Sequence, residues 1–468
     1  MTTALTRRGI IAAASTAPLG RVLAAQPGDD RPAPADRRFT SPAVEAERSA
    51  IAARIANPKI RRLWNNCFPN TLDTTVALGG SDQVPDTVVI TGDIPCLWLR
   101  DSACQVRPYL HLAARDAALT RLFRGLIGRH ARSILIDPYA NAFMADPSAP
   151  TSLDWARADV TEMKPGVAER KWEVDSLLHP MRLAHDYWRA TGDAAPFNTE
   201  WRAAMALAVE TLVAQQRLTG AGPYRFQRRA LSAIDTLAGD GYGAPSRKVG
   251  LIHSMFRPSD DACVLPFLIP SNIFAVRALS DLATLAELAA GDTALAAAAR
   301  QLAGQLRTAL AAHGTMRLAD DAIVYAYEVD GFGNALFMDD ANIPSLSSLA
   351  YLGACSRNDP LFRRTAARAW SRANPYFYSG RAGAGIGGPH VGAGQIWPMS
   401  LMVRALSTDD PATVALCLKT LAATDAGTGF MHEAFDEDDP ARFTRPWFAW
   451  ANSLFAEMIL QLLGRHRF

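Results

Sequence analysis

Cysteine is scarce in this chain: six residues (Cys67, Cys96, Cys104, Cys263, Cys355 and Cys417) among 468, far apart in sequence. That spread excludes a small disulfide-stapled scaffold and the close ligand pairs of a zinc site. Most of the six read as core residues, with room for one bridge if the compartment is oxidising. An excess of charge is also missing, since 48 lysines and arginines balance 46 aspartates and glutamates. Such a balance argues against nucleic acid or another polyanion as a partner. Beyond the N-terminus no uninterrupted apolar run approaches the ~18 residues of a membrane span, so no spanning segment is expected.

Common cofactor and metal signatures are absent too: no phosphate loop ending in Gly-Lys-Ser/Thr, no nucleophile elbow and no His-Glu-x-x-His. Gly383, Gly385 and Gly388 imitate a dinucleotide fingerprint, but no apolar strand precedes them and Pro389 blocks a following helix. The acidic run Asp436, Glu437, Asp438 and Asp439 has neither the ordered spacing nor the mid-loop glycine of a calcium loop, so it reads as a solvated turn.

What is present is helical. Long Ala/Leu/Arg segments repeat apolar residues three and four apart, and alternating β-branched runs are few. From Asn198 to Leu218, Asn198 suits a cap and Trp201, Met205, Ala208 and Leu212 form one stripe. Ser271 to Ala290 and Thr293 to His313 flank Gly291-Asp292, a glycine for one helix end and an aspartate to accept the next helix's free amides. About a dozen such segments are expected, starting near Val44, Ser102, Leu119, Val174, Asn198, Ser271, Thr293, Pro344, Leu361, Ile396, Pro411 and Pro446.

The N-terminal residues 1–25 carry Thr6-Arg7-Arg8, an apolar stretch from Gly9 to Leu19 and small residues at Ala24 and Ala25. They resemble a twin-arginine export signal, which implies a periplasmic or secreted protein. Residues 26–42, rich in Asp, Arg and Pro, read as a linker, and 43–468 as one domain.

Long stretches rich in Gly, Pro, Asp and aromatics separate the helices, too long for mere connectors and suited to building a site on a rigid scaffold. Three of them mix carboxylates, arginines and tryptophans: TGDIPCLWLRDS (Thr91 to Ser102), FRPSDD (Phe256 to Asp261) and GFMHEAFDEDDPARFTRPWFAWANSLF (Gly429 to Phe455). Sugar sites need that mixture, because charged groups bind ring hydroxyls while aromatic faces cover the apolar C–H face. Charges beside Trp98, Phe256, Phe430, Trp447 and Trp450 are expected to be partly buried and therefore paired or used. Arg100 with Asp101, and Arg257 with Asp260 or Asp261, are the candidate pairs.

These segments resemble glycoside hydrolase family 125, the exo-α-1,6-mannosidases. So do EVDSLLHP (Glu173 to Pro180), MDDANIPSLSSLAYLG (Met338 to Gly353), GIGGPHVG (Gly385 to Gly392) and IWPMSL (Ile396 to Leu401), and the likeness spans about residues 45 to 460. The resemblance implies an all-α (α/α)6 barrel, no metal or cofactor, and inverting hydrolysis of a non-reducing terminal α-1,6-mannoside. It implies a mannose-containing oligosaccharide or N-glycan fragment as partner. It also implies Asp260 as general acid, with Asp261 less favoured, and Glu433 as general base. Asp93, Trp98, Arg100, Asp101, Glu173, Arg257, Asp261, His390 and Trp397 are the implied sugar-binding residues. Cys96 and Cys104 stand where the family is apolar, and Gly388 where serine is common. Inversion requires the two carboxyl groups roughly 6.5–9.5 Å apart across a pocket that admits water. Two alternatives remain at this level: the same scaffold on another α-linked sugar, or a glycan-binding protein without catalysis.

Overall fold

Residues 30–229 and 232–464 are described in the structure, a computed structural model; the expected export signal lies outside them. Local chemistry sets most helix starts. Asn198 accepts from the Trp201 amide, Asp292 from that of Leu295 and Asp410 from those of Ala412 and Thr413, so each side chain satisfies amides the first turn leaves unpaired. Gly192 ends another helix in the left-handed conformation at φ +71°.

The helices of the described residues run α1 Pro42–Ala52, α2 Pro58–Thr74, α3 Leu99–Gln105, α4 Leu110–Ala113, α5 Ala117–Ile136, α6 Val174–Thr191 and α7 Thr199–Ala214. They continue with α8 Ile269–Leu288, α9 Thr293–His313, α10 Pro360–Ala369, α11 Pro398–Leu406, α12 Pro411–Ala423 and α13 Ala449–Leu462. Two expectations need correction. No helix starts at Pro344, where residues 345–353 form successive turns around the buried Asp339 carboxylate. Helix α2 was not anticipated, because Pro69 and a run of asparagines interrupt its apolar pattern; burial of Trp64 and Phe68, whose rings stack 4.4 Å apart, outweighs that weak propensity.

Consecutive helices pack in pairs, notably α8 with α9 and α11 with α12, and α13 returns to pack on α2. That last contact closes the ring: Thr71 Oγ1 meets Ser453 Oγ at 2.8 Å, and the Cys67 thiol donates to Asn452 at 3.1 Å. One apolar cluster runs from Phe39 to Leu460 through the ring. The expected stripe of α7 faces it, with Trp201, Met205, Ala208 and Leu212 all buried. Part of the stretch read as linker also joins the domain: Arg31 is buried and bonds Asp73 and Glu45. All six cysteines are free thiols. No helix among the described residues is long and apolar enough to cross a membrane.

Arg107 lies 2% exposed between α3 and α4, paired with Asp186 of α6 and Glu457 of α13. Tyr351 donates to the same Glu457 at 2.9 Å. Truncation would strand two buried carboxylates, and Arg107→Ala is expected to lower unfolding stability by about 3–5 kcal/mol, read by urea denaturation. A loss under about 1 kcal/mol would mean that water reaches this cluster.

Six small antiparallel sheets lie between the helices of the described residues, and in each of the three three-stranded ones a strand feeds a helix. Leu97–Trp98 pairs with Ala142–Phe143 and enters α3; Phe267–Leu268 pairs with Glu328–Val329 and enters α8. Gln395–Ile396 pairs with Ala434–Asp436 and enters α11. The loops these sheets anchor converge on one cavity.

Candidate active site

The cavity holds about 460 Å³ of atom-free space including its open mouth. Trp98, Arg100, Asp101, Asp260, His390, Trp397 and Glu433, all singled out from sequence, line it. Arg445, Asn342 and Phe448 line it as well and were not anticipated, although Arg445 and Phe448 fall inside the quoted Gly429 to Phe455 segment. Trp450 completes the aromatic wall.

Asp260 sits at the tip of a turn in which its amide bonds the Arg257 carbonyl at 2.8 Å and the Arg257 amide bonds the Asp261 carbonyl at 2.7 Å. Its φ of +64° is the left-handed region, which aspartate tolerates better than most residues. Asn141 Nδ2 donates to Asp260 Oδ1 at 3.1 Å, and the Lys171 ammonium donates to the Asp260 carbonyl at 2.6 Å. The turn is therefore held from outside itself.

Arg100 anchors the next layer. Its Nη1 donates to Glu173 at 2.6 Å and Asp175 at 2.9 Å, while Asp101 and Asp260 lie 3.7 and 3.8 Å away. Four buried carboxyl groups thus surround one guanidinium, and such a cluster keeps protons rather than carry its full negative charge. Burial pushes Asp101 up to about 6, with Arg100 pulling it back and Asp260 adding to the rise. Glu173 is held well above the usual carboxylate range, first by burial and then, against Arg100, by Asp260 and Asp175.

Glu433 lies on a separate loop, just before the strand Ala434–Asp436, and is 5% exposed. Arg445 Nη1 donates to its Oε1 at 3.3 Å. The neighbouring His432 bonds Thr428 at 3.0 Å and stacks on Phe443 at 3.7 Å, and burial lowers it to about 4. It is a packing residue and does not line the cavity.

Four sequence candidates do not line the cavity. Asp93 bonds Arg445 through Nε at 2.9 Å and Nη2 at 2.5 Å. Glu173, fully buried, backs Arg100. Asp261 bonds His390 Nδ1 at 3.0 Å from behind the wall. Arg257 pairs with neither aspartate through its side chain; its Nε donates to Glu328 at 2.6 Å, a partner the sequence pattern did not suggest. At Gly388 a Cβ would stand 3.0 Å from both Asp340 carboxylate oxygens, so a serine there would require Asp340 to shift. Among the described residues no group of three or more His, Cys, Asp or Glu is arranged to hold a metal ion. In the acidic run, Asp436 accepts the Asp438 and Asp439 amides and pairs with Arg442, while Glu437 and Asp438 accept the Ser379 and Arg381 amides.

Residues 57–460 match the family model described as metal-independent alpha-mannosidase (GH125). The chain belongs to the GH125 metal-independent α-mannosidases. The meiotically up-regulated gene 157 protein of Schizosaccharomyces pombe is 42% identical over 450 residues, covering 93% of this chain and 88% of the relative. A Streptococcus pneumoniae metal-independent α-mannosidase, solved in a non-productive complex with α-1,6-mannobiose, is 38% identical with TM-score 0.87, covering 92% of this chain and all of that one. A bacterial glucoamylase bound to acarbose, 10% identical with TM-score 0.55 over 89% of this chain and 56% of its own, shares the fold alone. This GH125 chain is thus a mostly helical (α/α)6 toroid glycosidase.

Proposed function

We propose that this α-mannosidase removes a non-reducing terminal α-1,6-linked mannose with inversion of the anomeric centre. In this reading Asp260 is the general acid and Glu433 the general base. The observation that carries it is the convergence of these two carboxyl groups, from separate loops, on the same aromatic-walled cavity. α-1,6-Mannobiose in the pneumococcal relative supports the linkage.

An inverting step needs a proton at the glycosidic oxygen and an ionised carboxylate holding water on the opposite ring face. The Asp260 carboxyl shares a buried cluster with Glu173, Asp175 and Asp101, in which burial raises both Glu173 and Asp101. Around Glu433 the nearest charge is the Arg445 guanidinium, 3.3 Å away. Environments of opposite character at two carboxyls divide the acid and base roles. Trp98, Trp397 and Phe448 supply apolar walls, and Arg100, Asp101, Asn342 and His390 the polar contacts for hydroxyls.

Proton NMR of α-1,6-mannobiose hydrolysis tests the reading: β-mannose is expected to appear first and to mutarotate afterwards. The α anomer appearing first would overturn inversion. Faster cleavage of another linkage isomer would overturn the substrate, and no release at all would overturn the activity.

A further inference from the structure

We infer that Asp93 and Arg445 form a positioning pair for Glu433: Asp93 holds the guanidinium by its two-pronged edge so that Glu433 receives one weak bond and keeps its lone pairs for water. The inference rests on Glu433 acting as the base.

The bond lengths distinguish the two sides of Arg445. Toward Asp93 it offers Nε at 2.9 and 3.2 Å and Nη2 at 2.5 Å, and Nη2 also donates to Thr91 Oγ1 at 3.1 Å. Toward Glu433 it offers Nη1 alone, at 3.3 Å. Charge-assisted bonds of this type usually measure about 2.7–2.9 Å, so the Glu433 contact is long. A fork–fork pair with Glu433 would be tighter, would occupy both carboxylate oxygens and would quench a base. Asp93 competes for that fork.

The backbone fixes the competition. The Asp93 amide bonds the Trp447 carbonyl at 3.2 Å, and the Ala449 amide bonds the Thr91 carbonyl at 3.1 Å. Between them Gly92 has φ +128°, and a Cβ there would lie 2.3 Å from the Trp447 carbonyl oxygen. Only glycine lets the two segments approach so closely. Arg445 itself takes φ +37°, and its guanidinium lies over the Phe448 ring at 4.8 Å. Burial works against its charge, yet Asp93 and Glu433 raise it overall.

Asp93 is 29% exposed in its side chain, whereas Glu433 and Arg445 are 6% and 9% exposed. The anchor is therefore at the rim and its effect is inside. The other charged groups lining the cavity with Glu433 are Arg100, Asp101, Asp260 and His390, and Asp101 also acts on Arg445. None of these changes in the variants that follow.

The test is the acid limb of the pH–activity profile on α-1,6-mannobiose, where activity falls as the base is protonated. Asp93→Asn frees Arg445 to clamp Glu433 and favours its charged form, so the limb moves to lower pH, by about 0.5–1 unit. kcat drops about tenfold and KM less than about threefold. Arg445→Met removes the cation, so the limb moves to higher pH by about 1 unit. Arg445→Lys, which keeps the charge without the fork, restores most of that shift. Opposite movements support the pair. A raised KM with an unmoved limb in Asp93→Asn would make Asp93 a sugar ligand, and a lowered melting temperature with an unmoved limb would make it structural; either overturns the inference. Glu433→Gln is assayed alongside. If it keeps wild-type activity, both this inference and the reading beneath it fall, whereas an inactive Glu433→Gln with unmoved limbs removes this inference alone.

Discussion

Glu433→Gln is expected to lower kcat on α-1,6-mannobiose about 1000-fold or more, with little change in KM or melting temperature. The amide nearly matches the carboxylate in size, so the cavity keeps its shape. It can still accept the Arg445 Nη1 bond, which runs to Oε1. What disappears is the ability to take a proton from water in the transition state, a loss that falls equally on kcat and kcat/KM. The deficit should persist with an activated leaving group, because water attack is needed whatever departs. A variant retaining more than about a tenth of wild-type kcat would remove Glu433 from the chemistry.

Asp260→Asn should behave differently, and the contrast separates acid from base. On mannobiose its kcat is expected to fall about 1000-fold, since the departing sugar hydroxyl needs a proton. On a dinitrophenyl α-mannoside, whose phenolate leaves unaided, the loss should be smaller by at least about tenfold, in keeping with a role confined to leaving-group protonation. The alkaline limb of the pH profile should vanish with it. Asp261→Asn is the internal comparison: its carboxylate bonds His390 from behind the cavity wall, so a moderate effect carried mainly by KM is expected. Near-normal mannobiose hydrolysis by Asp260→Asn with an inactive Asp261→Asn would transfer the acid role to the neighbour.

The helical pattern was legible wherever apolar spacing and capping residues agreed. Val174 and Thr293 start helices as read, and Asn198 and Asp292 cap the helices that begin at Thr199 and Thr293. It failed at α2, where Pro69 obscures a helix that burial of Trp64 stabilises, and at Pro344, where turns wrap around Asp339. The site loops were legible because carboxylates and arginines beside tryptophans are costly to bury without purpose.

Arg100 lies 3.7 Å from Asp101 as read, but pairing between distant residues was not legible, since such partners are brought together only by folding. Arg257 meets Glu328 rather than the aspartates beside it, and Glu173 meets Arg100 and the Asp260 cluster from behind the cavity wall. Asp93 reaches Arg445, more than three hundred positions away.

From residue order alone came the helical class, the membership suggested by seven quoted segments, and the two carboxylic acids nominated for catalysis. The helical class follows from local periodicity, which acts over a few residues; the membership and the two acids follow from the resemblance of whole segments to a known family. Which charged groups face the cavity and which stand behind it was decided only by the closed ring. Electrostatic environment is a property of neighbours in space, and here it arises where loops from all parts of the chain converge.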